Sequence, residues 1–218
     1  MNRMPPGKEV DKTKVDQLVK NLDELKIVGV RPKPEGLSAN LKTEEGSIQV
    51  SQQDMLSLQS KGFYFSRDGS LLSNEGELDA LTKDGLTYTL RFGEVAYGSG
   101  FDVSAGTDNE EKQQKGPAEN RYLFITTKFN PELFEEPPEP NNTNFQDKPD
   151  TLWTDADRRN KELFDKHEAW KEKIEKGKQT SQELNERFAN WYYVISSESF
   201  EKLHLKRDDL LRDKKQAS

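Results

Sequence analysis

The segment from Gly62 to Val95 constrains the fold of this chain more than any other part of the sequence. Turn-forming groups recur in it about every eight residues, at Asp68-Gly69, Asn74-Glu75-Gly76 and Asp84-Gly85, and such groups join antiparallel strands in hairpins. β-Prone residues lie between the turns. The segment therefore predicts an antiparallel β-meander.

Three runs outside the Gly62–Val95 segment also have strand character: Ile27–Val30, Arg121–Phe129 and Tyr192–Ile195. Leu86–Val95 and Arg121–Phe129 both alternate in side-chain type, so we expect them to pair antiparallel across a mobile loop at residues 104–120. Tyr192–Ile195 is a predicted closing strand. Ile27–Val30 is a short apolar run that predicts a buried strand.

Apolar residues at helical spacing predict the helices. Val15, Leu18 and Leu22 define one amphipathic helix, and a shorter one is expected from Gln52 to Ser60. Between residues 151 and 190 the spacing predicts two helices. The first ends at Gly177, and the second is capped by Thr180 or Ser181.

The predicted fold class is α+β, with an antiparallel meander or sheet packed against amphipathic helices and a helical insertion before the last strand. Five prolines between Pro131 and Pro149 favour an extended connector in front of that insertion. The expected organisation is an N-terminal extension (1–10), an α+β core (11–130), a Pro-rich linker (131–150), a helical insertion (151–190) and a closing strand and helix (191–213).

Charge and composition exclude several classes of function. The net charge is −7, and a nucleic-acid or anionic-lipid binder needs a basic face. With no cysteine, the chain has no thiolate nucleophile, disulfide or zinc–thiolate site. No apolar run approaches the roughly 18 residues of a membrane span, so we expect the chain itself to be soluble.

The residues with catalytic potential have simpler interpretations. His167 lies on an apolar helical stripe, which favours a hydrogen-bonded interface histidine. His204 lies near a helix end, which favours a capping or surface residue. Asp155-Ala156-Asp157 is typical of a charged first helical turn rather than a calcium loop. Glu75, Glu77 and Glu94 are the acids set within the meander, and we interpret them as solvated or turn residues. No catalytic residue, metal ligand or cofactor site is predicted, and the chain is not expected to be an enzyme.

Aromatic residues supply the one candidate surface. Trp191, Tyr192 and Tyr193 are consecutive, and Trp170 lies in the predicted insertion. Core packing is the favoured interpretation of the cluster, because alternate members of a strand must face inward. A partner-binding surface and a platform for stacking on a glycan are the alternatives for these four residues.

Several segments resemble the planctomycete type of the family called domain of unknown function 4340. They are the runs Val28–Ser38, Gly62–Phe65, Leu71–Leu78, Tyr88–Val95 and Trp191–Ser196, the last followed by Phe200, Leu203 and Asp209-Leu210. The general family joins its counterpart of Arg121–Phe129 to the final strand by a short turn, so the intervening residues resemble an insertion.

The resemblance implies a setting rather than a chemistry. Members commonly carry an N-terminal membrane anchor, place the domain outside the cytoplasm, and are often encoded beside gliding-motility-type ABC transporter components. It therefore implies a non-catalytic accessory or interaction domain whose partners are transporter subunits, with the chain a fragment of a longer anchored protein. A cell-envelope glycan-binding module is the alternative, and a hydrolase using paired carboxylates is a remote one.

Overall fold

The computed structural model describes residues 4–37, 51–67, 69–96 and 119–214. The fold class is α+β, as predicted, with a five-stranded antiparallel sheet and two smaller sheets. The strands are β1 (Lys8–Val10), β2 (Ile27–Pro32), β3 (Phe63–Phe65), β4 (Leu71–Ser73), β5 (Glu77–Leu81), β6 (Leu86–Val95), β7 (Arg121–Phe129), β8 (Trp191–Ile195) and β9 (Leu211–Asp213). The α-helices are α1 (Lys12–Asp23), α2 (Gln52–Gln59), α3 (Asp155–Ala189) and α4 (Ser197–Leu203).

The five-stranded sheet has the order β2-β8-β7-β6-β5, while β1 pairs with β9 and β3 with β4. The predicted pairing of β6 with β7 is confirmed. β2 lies at an edge of the sheet, and the prediction of a buried strand there is wrong: Ile27 and Val30 are exposed, and Gly29 is its buried residue. An edge strand has a neighbour on one side only, so its side chains are less covered.

The predicted meander is divided between two sheets. The β3–β4 hairpin forms a sheet of its own, and only β5 and β6 belong to the five-stranded sheet. The chain leaves the hairpin at the turn that contains Gly76, where the Glu75 N–H donates to the Phe92 carbonyl on β6. Gly76 has a φ of +88°, which glycine adopts without strain. The turn signals located the strands of the meander but did not specify which of them pair in the same sheet.

The chain divides into two compact units, each with its own apolar core. Unit 1 comprises Met1–Leu78, Leu90–Ile125 and Phe188–Ser218, and unit 2 comprises Asp79–Thr89 and Thr126–Arg187. The core of unit 1 is formed by Leu37, Leu58, Phe63, Phe124 and Tyr192. The core of unit 2 is formed by Leu86, Phe129 and Ile174, with Tyr88, Phe134, Trp170 and Leu184 packed against it.

The segment at residues 151–190, predicted to be a helical insertion, contains one α-helix rather than the two predicted. α3 runs without a break from Asp155 to Ala189, so Gly177 does not end a helix and neither Thr180 nor Ser181 caps one. Gly177 instead lies against Phe129, where a Cβ would be 2.1 Å from the ring carbon Cε2. Gly177 is needed because the Phe129 ring packs against the helix backbone at this position. A glycine required for such close packing looks the same in the sequence as a glycine that ends a helix.

We expect Gly177→Ala to lower the free energy of unfolding by up to about 2 kcal/mol, although alanine is the better helix former. The gain in helix propensity is about 1 kcal/mol, and overpacking against Phe129 costs about 1–3 kcal/mol. Urea unfolding measures the difference, with Lys178→Ala on the exposed side of α3 as the matched control. A Gly177→Ala protein more stable than wild type would contradict the packing role.

The Pro-rich segment is more structured than the expected extended connector. Short 3-10 turns occur at Pro131–Leu133 and Asn144–Asp147, so a wholly non-helical connector is wrong. Phe145 is buried and makes edge-to-face ring contacts with Trp153 and Phe164. This aromatic contact anchors the segment within unit 2. Of the predicted mobile loop, residues 104–118 lie outside the described residues.

Candidate binding surface

Two cross-strand pairs form an apolar surface on the five-stranded sheet in unit 1. In the antiparallel register of β2 and β8, Val30 lies opposite Tyr193 and Pro32 opposite Trp191. Directly opposed residues, and residues two apart in a strand, share one face of a sheet. The four side chains therefore lie together, and we call them the β2–β8 patch.

The patch faces solvent although none of its members is charged. Trp191 is 40% exposed and Val30 37%, Pro32 is also exposed, and Tyr193 is half-buried. The Phe188 ring lies edge-on to Tyr193, with 5.9 Å between the ring centroids, and extends the aromatic character to the end of α3. Contiguous exposed apolar surface marks interaction sites in soluble domains.

The outer edge of β2 is poorly suited to pairing with a further strand. The Lys33 N–H donates to the Asn190 carbonyl at 2.9 Å, so by alternation the backbone groups of Val30 and Pro32 point away from β8. Pro32 has no N–H to donate, and the Val30 carbonyl already accepts from Arg31 Nη1 at 2.9 Å. A proline and a charged side chain are two devices that protect sheet edges from strand addition. The patch thus offers its side chains rather than its backbone.

The residues singled out from sequence separate in the structure. Tyr192 is fully buried in the core of unit 1, so it cannot belong to a binding surface, and the core interpretation holds for it. Its neighbours Trp191 and Tyr193 lie in the β2–β8 patch. Trp170 lies in unit 2, half-buried, and its Nε1–H donates to the Phe134 carbonyl at 3.1 Å. Its polar group is engaged within the fold.

Two patch residues, Val30 and Pro32, were not singled out from the sequence. The two residues are two positions apart at the end of β2, so the sequence places them on the same face of the strand. The register with β8 then brings them next to Tyr193 and Trp191. The register depends on both strands, so it cannot be predicted from the sequence of either strand alone. Tyr192 also has a partner that the sequence did not reveal, since its hydroxyl lies 3.1 Å from the Ser57 hydroxyl. Burial raises the pKa of Tyr192 to about 12, so the phenol remains protonated at neutral pH.

The histidines are placed as their sequence context indicated. His167 is buried, and its Nδ1 lies 3.1 Å from the Pro137 carbonyl, so Nδ1 carries the proton and donates. Its ring also packs against Trp170. His204 is the C-cap of α4 and stacks on Phe200 at 4.8 Å between centroids. Both rings make packing contacts within the fold.

The acids are likewise occupied by structural contacts. Asp157 completes a capping box with Thr154 at the start of α3, and hydrogen bonds from Lys148 and then from Thr154 lower its pKa to about 2. The prediction of a charged first helical turn is confirmed. Each meander acid has a separate partner: Glu75 with Arg121, Glu77 with Arg91, and Glu94 with Asn74.

Unit 2 contains a groove of about 550 Å³ beside α3. Its charged lining consists of Asp84, Glu172, Lys173 and Lys176. The Lys173 Nζ lies 3.8 Å from the centroid of the Phe134 ring. Two acids and two lysines leave this lining without a net charge that would select an ionic ligand.

Within the described ranges, no group of three or more His, Cys, Asp or Glu side chains is arranged to hold a metal ion. In the same part of the chain, none of the helices has both the length and the apolar character needed to cross a membrane. Comparison of the chain with protein families, with curated proteins and with solved structures found no match.

Proposed function

We propose that this chain is a non-catalytic accessory module that binds a protein partner through the β2–β8 patch, on the extracytoplasmic side of a bacterial membrane. The observation that carries the proposal is the exposure of two uncharged cross-strand pairs, Val30–Tyr193 and Pro32–Trp191, on one sheet face. Interface centres are enriched in aromatic residues and depleted of charge. Tryptophan and tyrosine are the residues that most often dominate binding energy.

The chemistry of the sheet edge specifies how the partner binds. Because Pro32 has no N–H and Arg31 occupies the Val30 carbonyl, the outer edge of β2 is unfavourable for a partner strand that would extend the sheet. We therefore expect the partner to present an apolar helix or loop to the face of the patch. The net charge of −7 also disfavours nucleic acid and anionic lipid as competing ligands.

The resemblance to the family of domain of unknown function 4340 supports the identity of the partner. It implies subunits of a gliding-motility-type ABC transporter, with the module held at the membrane by an anchor. Affinity capture from native membranes is therefore expected to recover transporter subunits with the wild-type protein.

Substitution of the patch tests the proposed surface directly. A Val30→Ser/Trp191→Ser double variant should recover transporter subunits at least about tenfold less well, because apolar hot-spot contacts are lost. Val19→Ser on α1 is the matched control, since Val19 is an exposed valine of the same unit outside the patch. Circular dichroism verifies folding of both variants. Equal recovery by the two variants, or capture without transporter subunits, would contradict the proposal.

A cell-envelope glycan is a second candidate ligand, favoured by the exposed indole of Trp191, since aromatic faces pack against sugar rings. Calorimetric titration with soluble peptidoglycan fragments separates the two candidates. Heat of binding that disappears in Trp191→Ala would favour the glycan. We expect no such heat from a surface that binds protein.

A further inference from the structure

Lys33, directly after β2, is a buried lysine that forms no ion pair with any residue of the described ranges. The residue is 6% exposed, and its Nζ lies 3.8 Å from the centroid of the Phe124 ring and 5.4 Å from that of Tyr192. Nζ donates to the Phe188 carbonyl at 3.0 Å, and no described carboxylate lies within ion-pair distance of it. Lysines are almost never fully buried unless they are paired, and one carbonyl satisfies only one of the three donors of an ammonium group.

The ionisable groups around the Tyr192 ring that Lys33 contacts are the phenols of Tyr192 on β8 and Tyr122 on β7, Asp54 on α2, and Lys61 just after α2. None of these described groups forms an ion pair with Lys33. The Lys61 Nζ lies 5.1 Å from the Tyr192 ring centroid, so it adds a second cation to the same aromatic cluster. Burial lowers the pKa of Lys33 to about 7. The cation–π contact with Phe124 favours the charged form, but the cost of burial exceeds it.

Lys33 lies at the end of an edge strand, where opening breaks few backbone hydrogen bonds. Its N–H donation to the Asn190 carbonyl is the last backbone hydrogen bond between the end of β2 and the chain leading into β8. The backbone groups of the preceding Pro32 point away from β8, and among the described strands β2 has a neighbour on one side only. Strand ends with few backbone hydrogen bonds open locally more readily than the centre of a sheet.

We propose that Lys33 is a proton-sensitive switch of the β2–β8 patch. The neutral amine keeps the end of β2 on the sheet, and the protonated amine favours a locally open form in which Lys33 reaches water. Opening displaces Pro32 from the patch, so acidification weakens the surface that binds the partner. Only this last consequence rests on the proposed function.

The direction of the pH dependence follows from the two protonation states. In the open form Lys33 has its ordinary pKa of 10.5, and in the closed form a pKa of about 7. Between these pH values the open form binds a proton that the closed form does not. Each unit of acidification in this window therefore raises the open population about tenfold, and below pH 7 the dependence levels off.

Amide hydrogen exchange on the free protein tests the switch. The protection factor of the Lys33 amide, corrected for intrinsic exchange, should rise about fiftyfold from pH 7 to pH 9 in the wild type. The rise should disappear in Lys33→Met and persist in Lys61→Met, the matched control that removes the other cation at Tyr192. Equal pH dependence in wild type and Lys33→Met would overturn the proposal.

A lysine-selective NMR titration of the wild-type chain gives an independent test that needs no variant. We expect one lysine, assigned to Lys33, to titrate near neutral pH, and a value near 10.5 for Lys33 would overturn the proposal. Neither measurement involves a partner. Failure of the membrane capture experiment therefore leaves the switch intact, and failure of the switch leaves the proposed patch intact.

Discussion

Tyr192→Ala is expected to lower the free energy of unfolding by about 3–5 kcal/mol, whereas Trp191→Ala beside it should cost about 1 kcal/mol or less. The two aromatic residues are neighbours in sequence but point to opposite faces of the sheet. Tyr192 is fully buried, and its ring lies 6.1–6.2 Å between centroids from Phe63 and Phe124. Removing it leaves a cavity at the centre of unit 1. Trp191 is 40% exposed and supports less of the core.

Chemical denaturation of the two alanine variants and of Tyr192→Phe measures these contributions. Tyr192→Phe keeps the ring and removes the hydroxyl that lies 3.1 Å from Ser57, so we expect a loss of only about 1 kcal/mol. Similar losses for Tyr192→Ala and Trp191→Ala would show that the two faces of β8 are equally buried. That result would remove the basis of the β2–β8 patch.

Gly93→Ala is expected to cause the other large loss of stability, about 3 kcal/mol or more. A Cβ at Gly93 would lie 2.1 Å from the Lys61 carbonyl oxygen and 2.8 Å from the Phe63 ring. The carbonyl belongs to the backbone and accepts from the Glu94 N–H at 3.0 Å, so it cannot move without breaking that hydrogen bond. The methyl group therefore has to displace β6 itself.

Gly29→Ala is the matched control, because Gly29 is also a strand glycine of unit 1. A Cβ at Gly29 would make only ordinary contacts, with Arg31 Nη1 at 3.5 Å and Val194 Cβ at 3.9 Å. Losing the conformational freedom of glycine in the unfolded chain should then stabilise the protein by up to about 1 kcal/mol. Thermal unfolding distinguishes the two variants. A Gly93→Ala protein as stable as Gly29→Ala would contradict the close approach at Gly93.

The sequence located most of the secondary structure because each element depends on local signals. Leu86–Val95 and Arg121–Phe129 match their strands residue for residue, since alternation and flanking turns are contained within each segment. α1 begins after Asp11, whose carboxylate accepts from the Thr13 N–H as a cap. These elements required no knowledge of the rest of the chain.

Where one residue type has two possible structural roles, tertiary packing determined which role it has. Glycine ends helices, but it also allows close approach, and Gly177 serves the second purpose against Phe129. Proline disfavours regular structure, yet Pro32 is the last residue of an edge strand. In both cases the relevant neighbour comes from a distant part of the sequence.

The candidate surface shows the same division. Alternation within Trp191-Tyr192-Tyr193 determined by itself that neighbouring members would face opposite sides, one into a core. Only the tertiary structure decided that Tyr192 is the buried member, that Val30 and Pro32 complete the exposed face, and that Lys33 is enclosed between Phe124 and Tyr192. Strand periodicity is a local property of the backbone, whereas register and burial depend on which distant segment packs against each face.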